Sequence, residues 1–339
     1  MIPVLLLTGF LGSGKTTLLG HLLRQPELSR TAVIINEFGE IGLDHELVEA
    51  SDDSFIELST GCLCCKVRDD LVVTLGDMLR RRDQGSVPPF TRVVIETSGL
   101  ADPAPILQTL MTDATIAGRL VVGGVVTTVD AVHGSGTLER EPISVKQVAV
   151  ADRVVLTKAD LLTKADLAGA APPKLLRRLA ELNTAPLLHA EHGRIDPQRL
   201  LDAGPYDPLG KSLDVQAWLG GTSHDHSHGH DATDIQTYTI VREQPIRAVA
   251  LTLLLETLAE HCGADLLRLK GIVNVLESPD RPAVIHGVQH VFHAPAWLER
   301  WPSNDRRSRI VVITRGIPQA WIKALIDAIE EEVAEVGAR

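Results

Sequence analysis

Short apolar runs alternate with stretches of helical periodicity from the N-terminus to about residue 200. The runs 3–8, 32–36, 54–58, 92–96, 120–129, 153–157 and 185–188 are rich in Val, Ile and Leu and read as strands. Helical patterns at 15–24, 67–82, 104–111, 144–150 and 173–182 fall between most of them. Strands that are apolar throughout and alternate with helices predict an α/β fold, a mainly parallel sheet covered on both faces. The pattern breaks over 202–234, where Gly, Pro, Asp and His gather without periodicity. Order returns at 235. Strands are expected at 236–242, 267–277, 283–292 and 309–314, with helices at 246–262 and 318–336, which makes a small C-terminal α+β domain. The expected organisation is an α/β domain over 1–215, a His-rich flexible linker over 216–234 and a second domain over 235–339.

Composition narrows the class. A length of 339 residues suits two domains. Aromatic residues are only 3%, so the core must be aliphatic. The chain carries 33 Lys and Arg against 44 Asp and Glu, a net charge of −11, with no basic tract. That balance argues against nucleic acid and anionic membrane as partners. No apolar run approaches the roughly 18 residues of a membrane span. The apolar N-terminus lacks a basic leader and runs straight into a glycine-rich loop, so it reads as the first core strand. Four cysteines, three of them bunched, do not make a disulfide framework, and a cytoplasmic location is expected.

The strongest chemistry is Gly9-Phe-Leu-Gly-Ser-Gly-Lys-Thr16, which follows an apolar strand and opens a helix. Its glycines, Gly9, Gly12 and Gly14, let backbone N–H groups, with Ser13 and Thr17 alongside, curl around phosphate oxygens. Lys15 should reach the β- and γ-phosphates and the Thr16 hydroxyl should ligate Mg²⁺. A second strand ends in Glu96-Thr-Ser-Gly99. Glu96 stands where a P-loop fold holds its Mg²⁺ shell, and the Gly99 N–H can meet the γ-phosphate. A third ends in Thr157-Lys158-Ala-Asp160, a variant of the Asn-Lys-x-Asp guanine motif. A carboxylate at Asp160 accepts from guanine N1–H and the 2-amino group, a donor pair that adenine lacks, so GTP is expected over ATP. Lys158 can lie flat over the base. A copy of the four letters at 163–166 ends no apolar strand and reads as helix-start chemistry. Asn183-Thr184-Ala185 is expected to add a backbone contact at the base edge.

Cys62-Leu-Cys64-Cys65 is a soft-metal site in sequence. Three thiolates leave a tetrahedral Zn²⁺ one ligand short, and an incomplete site suits a metal that must be released. Inert buried thiols and a redox loop are the competing readings. Between the phosphate loop and the thiols lies Asn36-Glu37-Phe-Gly-Glu40-Ile-Gly-Leu-Asp44, three acids hinged by glycines. This is where P-loop GTPases commonly sense the γ-phosphate. One acid, Glu37 or Asp44 among them, can orient the attacking water or touch Mg²⁺. Glu40 can equally supply the missing metal ligand. His224, His226, His228 and His230 alternate in the linker and suit loose binding of Zn²⁺, Ni²⁺ or Co²⁺. His286, His290 and His293 cluster near the 283–292 strand, with His290 and His293 the expected pair. Cys262 reads as a buried helix-end residue.

These motifs together resemble the CobW-like family of P-loop GTPases, also called the cobalamin-synthesis-protein family. The resemblance spans nearly the whole chain and includes Ala151-Asp-Arg-Val-Val-Leu-Thr-Lys-Ala-Asp160, Leu266-Leu-Arg-Leu-Lys-Gly-Ile272 and Ser308-Arg-Ile-Val-Val-Ile313. It implies a SIMIBI-class G domain, low intrinsic GTP hydrolysis and a metallochaperone or metal-insertase role. It implies GTP and Mg²⁺ at Lys15 and Thr16, guanine at Asp160, and Zn²⁺ or Co²⁺ at Cys62, Cys64 and Cys65 in the GTP state. The implied partner is a client metalloprotein chosen by the small domain. A GTP-dependent homodimer is left open. Thr157 departs from the usual Asn. Two rival readings stand beside this one: a metal sensor or buffer with incidental hydrolysis, and a small-molecule kinase built on the same loop.

Overall fold

The computed structural model describes residues 1–35, 57–59, 67–162, 173–201 and 235–337. They divide into two compact bodies, one of Met1–Leu179 with Pro186–Pro205 and one of Ala180–Ala185 with Tyr206–Arg339.

The first body is built on seven strands: β1 (Ile2–Gly9), β2 (Thr31–Ile35), β3 (Glu57–Ser59), β4 (Arg92–Glu96), β5 (Leu120–Asp130), β6 (Arg153–Thr157) and β7 (Leu187–His189). Every pairing between them is parallel, in the order β3-β2-β4-β1-β5-β6-β7. Side chains alternate across a strand. In β1 both sets, Val4 and Leu6 as well as Leu5 and Leu7, are buried, so the sheet is covered on both faces as its continuous apolar runs required. Leu5 and Leu7 pack against Leu18, Leu19 and Leu22 of α1 (Lys15–Leu22). The other helices of this part of the chain are α2 (Val67–Asp83), α3 (Pro103–Thr112), α4 (Gly134–Arg140), α5 (Pro142–Ala149), α6 (Pro173–Leu182) and α7 (Pro197–Leu201). Asp102 caps α3 through the Ala104 N–H at 3.0 Å and pairs with Lys146 at 2.8 Å.

Most expected elements lie within a residue or two of their bounds, and β4 and β6 coincide with theirs. Helices α4 and α7 were not legible. Helix α4 holds two glycines and a single Leu, so it shows no apolar stripe. Strand β7 starts later than expected because the Asn183 side-chain Oδ1 accepts the Ala185 N–H at 2.9 Å and turns the chain first.

The second body is an antiparallel sheet of β8 (Ile235–Arg242), β9 (Leu266–Val273), β10 (Ala283–Val288), β11 (Val291–Phe292), β12 (Ala296–Trp297) and β13 (Ser308–Arg315). The order is β11-β10-β9-β13-β8, with β12 on β10. Helix α8 (Ala248–Thr257), extended by a π turn over Leu258–Cys262, and α9 (Gln319–Gly337) complete it. Tyr238, Ile240, Leu269, Ile285 and Val312 meet Leu254, Ile322 and Ile326 in one aliphatic core. The expected 283–292 strand is in fact a hairpin, reversed at Gln289 with φ 52°.

Candidate functional site

The loop between β1 and α1 is held from three directions. Ser13 N–H bonds to the Phe10 carbonyl at 3.1 Å, closing the turn. The Ser13 hydroxyl lies 2.6 Å from that of Thr128, at the end of β5. Thr157 donates to the Ser13 carbonyl at 2.7 Å. The residue that departs from the guanine motif therefore keeps one task, tethering the phosphate loop, that a hydroxyl can perform. Gly14 opens α1 at φ 89°, a left-handed conformation that a side chain would resist. No side chain among the described residues caps α1, so its N-terminal N–H groups face the loop mouth, where an anion is favoured.

Lys15 is buried and curls back, its Nζ donating to the Gly9 carbonyl at 3.1 Å. The Thr16 hydroxyl donates to Glu96 Oε1 at 2.7 Å, and Glu96 is fully buried at the end of β4. Two hard oxygen donors at hydrogen-bond distance beside a phosphate cradle fit Mg²⁺, which prefers oxygen ligands and retains several waters. Thr16 would ligate the ion and Glu96 would hold its water shell. Thr17 is exposed on the first turn of α1. Gly99 lies against the loop backbone: a Cβ there would stand 2.6 Å from Leu11 N.

Three residues of the site escaped the sequence reading. Asp130, at the end of β5, accepts from the Val132 and His133 N–H groups and from Lys158 Nζ at 2.8 Å. Lys158 Nζ also bonds to the Gly12 carbonyl at 2.6 Å, so this lysine joins the end of β6 to the phosphate loop. An acid closing an apolar strand, as Glu96 does, was the available signal. Gln147, buried on α5, donates to the carbonyls of Gly99 and Ala101, each at 3.1 Å, and fixes the loop after β4. His192 stands beside Asp160, with Nδ1 and Oδ2 3.3 Å apart. Neither Gln147 nor His192 carried a motif.

Burial pushes the Asp130 carboxyl up, but the Lys158 bond and the two backbone donors outweigh it and hold the group below its ordinary range. A depressed folded value stabilises the fold above the unfolded value, about pH 4, and that contribution is lost as pH falls through the folded value. Asp130→Asn should therefore melt roughly 2–4 °C lower than the parent at pH 7. The gap should close below about pH 4 when thermal unfolding is followed against pH.

A cavity of about 180 Å³ opens beside Leu11 and Gly12, between the end of β5 and helices α4 and α5. Neither Lys15 nor Thr16 lines it, so it flanks the phosphate cradle and is not the cradle itself. Asn183 is buried in the Ala180–Ala185 stretch grouped with the second body, its side-chain Oδ1 taken by the Ala185 N–H. Glu37, Glu40, Asp44, Cys62, Cys64, Cys65, His224, His226, His228, His230 and the motif copy at 163–166 lie outside the described residues.

The expected His290–His293 pair is replaced by another. Because 283–292 is a hairpin, His293 comes opposite His286. The His293 N–H bonds to the His286 carbonyl at 3.0 Å, and the rings stack with centroids 5.4 Å apart. His290, at the turn, has Nδ1 2.9 Å from the Ala259 carbonyl. Arg268 Nη2 lies 3.3 Å from His286 Nε2, and a neighbouring cation disfavours a metal ion there. Among the described residues no group of three or more His, Cys, Asp or Glu is arranged to hold a metal. Cys262 is buried, as read, and burial raises its thiol pKa. No helix among the described residues is long and apolar enough to cross a membrane.

Parallel topology, the uncapped helix behind the phosphate loop and the part-buried Thr16–Glu96 pair define a class: the first body is a P-loop nucleotide-binding domain. The family model described as CobW/HypB/UreG, nucleotide-binding domain, matches residues 3–184, and that of the cobalamin synthesis protein cobW C-terminal domain matches residues 235–330. The chain belongs to the CobW family. It is 35% identical to the zinc chaperone YjiA of Escherichia coli (strain K12) over 324 residues, 95% of this chain and 97% of that one. It is 31% identical to the zinc chaperone CobW of Pseudomonas aeruginosa, over 95% of this chain and 89% of that one. The crystal structure of Zn(II)-bound YjiA GTPase from E. coli superposes with a TM-score of 0.68 at 29% identity, covering 97% of this chain and 98% of that one.

Proposed function

We propose that this protein is a GTP-dependent zinc metallochaperone, in which nucleotide state sets the affinity of a thiolate site for its metal cargo. One observation carries the reading. The strands order as β3-β2-β4-β1, and Ser59, Ile35, Glu96 and Leu7 stand in register across them. The chain thus leaves for the Cys62–Cys65 segment, for the Glu37–Asp44 segment and for the phosphate loop from one edge of one sheet. At the usual spacing of neighbouring strands, β3, which precedes the thiol segment in sequence, is roughly 14 Å from the phosphate-loop strand. The segment that answers to the γ-phosphate in this reading follows β2, the strand between β3 and β4. The zinc chaperones to which the chain is similar support Zn²⁺ over Co²⁺ as the cargo.

In this scheme GTP and Mg²⁺ order residues 36–44, with Glu37 or Asp44 orienting the attacking water and Glu40 completing the site of Cys62, Cys64 and Cys65. Asp160 selects guanine. Hydrolysis relaxes the segment, and the metal passes to a client metalloprotein in the cytoplasm. His224, His226, His228 and His230 hold metal loosely. Leu11, Leu100, Val132 and Leu161, at the carboxyl ends of four neighbouring strands, are exposed. That apolar rim supports a homodimer formed across the nucleotide face.

The test is a competition titration of Zn²⁺ with a GTP analogue, with GDP and without nucleotide, with solution mass followed in each state. A coupling of roughly 1–3 kcal/mol predicts about 5–150-fold tighter binding with the analogue. Cys64→Ala should remove that difference and leave nucleotide affinity unchanged. Equal Zn²⁺ affinity in all three states would sink the scheme in favour of a metal buffer, and a preference for ATP would revive a kinase.

A further inference from the structure

We propose that His192 is a specificity-positioning residue of the guanine pocket, holding the Asp160 carboxylate in the orientation that reads two base donors at once. The proposal rests on the reading of Asp160 as the guanine-selective residue.

The argument begins with a turn. After β7 the chain folds back on itself, Glu191 and Arg194 exchanging backbone hydrogen bonds of 3.1 and 2.8 Å. The two residues between them, His192 at φ 50° and Gly193 at φ 76°, both take left-handed conformations, as the tightest two-residue turns require. Glycine does this freely, whereas a histidine there is uncommon. The turn is seated firmly. The Ala190 N–H bonds to the Leu156 carbonyl of β6 at 2.8 Å. Gly193 backs onto α1 so closely that a Cβ would lie 2.5 Å from the His21 ring and 3.1 Å from Thr17 Cγ2.

The imidazole of His192 is thereby presented to Asp160. Only three non-glycine residues among those described have positive φ: Lys158, His192 and Gln289. Two of the three flank this one carboxylate, Lys158 by introducing the short helical turn Ala159–Leu161 that carries it and His192 by touching it. Backbone conformations that cost energy gather where a side chain must be aimed.

The chemistry explains what the aim is for. A guanine base offers N1–H and the 2-amino group side by side, so both carboxylate oxygens must lie in the plane of the base. The terminal torsion of an aspartate is soft, and an unheld carboxylate rotates out of that plane. Each carboxylate oxygen has room for two donors. His192, exposed to solvent but with Nδ1 3.3 Å from Oδ2, can therefore restrain the torsion from outside as a close polar contact while the base uses both oxygens. A ligand with a single donor tolerates rotation, so the loss on removing the imidazole depends on the number of donors.

The experiment measures affinities for GDP and for inosine diphosphate, which keeps N1–H and lacks the 2-amino group. His192→Ala should weaken GDP about 5–10-fold and change inosine diphosphate less than about 2-fold, shrinking the ratio between them. His192→Gly, which relaxes the turn while removing the ring, should behave the same way and separates ring from backbone. His192→Asn, which accepts the left-handed conformation and retains a donor, should recover most of the ratio. Equal losses for both nucleotides, or none, would overturn the proposal. Asp160→Asn tests the underlying reading separately, since it should move preference from GDP to xanthosine diphosphate. If that switch occurs while the His192 variants keep the parent ratio, the His192 role alone is wrong. If it does not occur, the guanine reading fails and the His192 role falls with it.

Discussion

Glu96→Gln should slow GTP hydrolysis by about 10²–10³-fold while GDP affinity changes little. Glu96 is fully buried at the end of β4, and its Oε1 receives the Thr16 hydroxyl. Glutamine has the same shape and keeps a carbonyl to accept that bond, so the strand end and the first turn of α1 need not move. What disappears is the negative charge. With Mg²⁺ bound, Thr16 would ligate the ion and the Glu96 charge would hold its water shell from a site of low dielectric, where a full charge counts for far more than an amide dipole. Removing a buried carboxylate also relieves desolvation, so the nucleotide-free variant should melt no lower than the parent. Single-turnover hydrolysis across a Mg²⁺ titration checks this, with the half-saturating Mg²⁺ concentration moving upward. A rate within 3-fold of the parent at every Mg²⁺ concentration would assign Glu96 a structural role only.

Gly99→Ala should weaken nucleotide binding at least 10-fold and destabilise the first body by about 1–3 kcal/mol. The added Cβ would lie 2.6 Å from Leu11 N and 2.8 Å from Leu11 Cα. These are backbone atoms of the phosphate loop and cannot rotate aside. Nor can Gly99 retreat freely, because Gln147 holds the carbonyls on both sides of the turn, those of Gly99 and Ala101. Either the loop gives up its phosphate-binding curl or the strand end shifts, and with it Glu96. The control is Gly76→Ala in α2, where a Cβ meets nothing within 4 Å. That substitution should stabilise by about 0.5–1 kcal/mol through helix propensity. Calorimetric titration with GDP and thermal melts of both variants make the comparison. Parent-like GDP affinity in Gly99→Ala would mean that the Leu11 backbone yields more readily than the packing implies.

Much of the fold could be read before any coordinates. Strands β4 and β6 were bounded correctly because each is a run of aliphatic residues between polar ends. The 283–292 region was misread because Gly287, Gln289 and His290 interrupt an apolar alternation without a strong turn signal, and only the backbone at Gln289 declares the reversal. That error moved a histidine pair: it set His290 beside His293, whereas cross-strand register sets His286 there. Within the candidate site, Lys15, Thr16, Glu96 and Asp160 were singled out because phosphate, Mg²⁺ and guanine would demand particular chemistry at fixed offsets from strand ends, and the structure sets Thr16 against Glu96 beside the phosphate loop. Asp130, Gln147 and His192 were not, because their work consists of contacts to Lys158, Gly99 and Asp160, which lie on other elements.

The sequence alone determined the alternation of buried strands and helices, the phosphate loop and the kinds of ligand this chain is built to meet. These follow from local physics: apolar periodicity, glycine at a tight loop, and donors and acceptors matched to a ligand. Tertiary structure decided which residues converge. It set β3, β2 and the Glu96 strand side by side, tied Thr157 to the phosphate loop, and brought His192 to Asp160. Sheet order and turn geometry are chosen by packing energies summed over the whole chain, so no stretch of it states them.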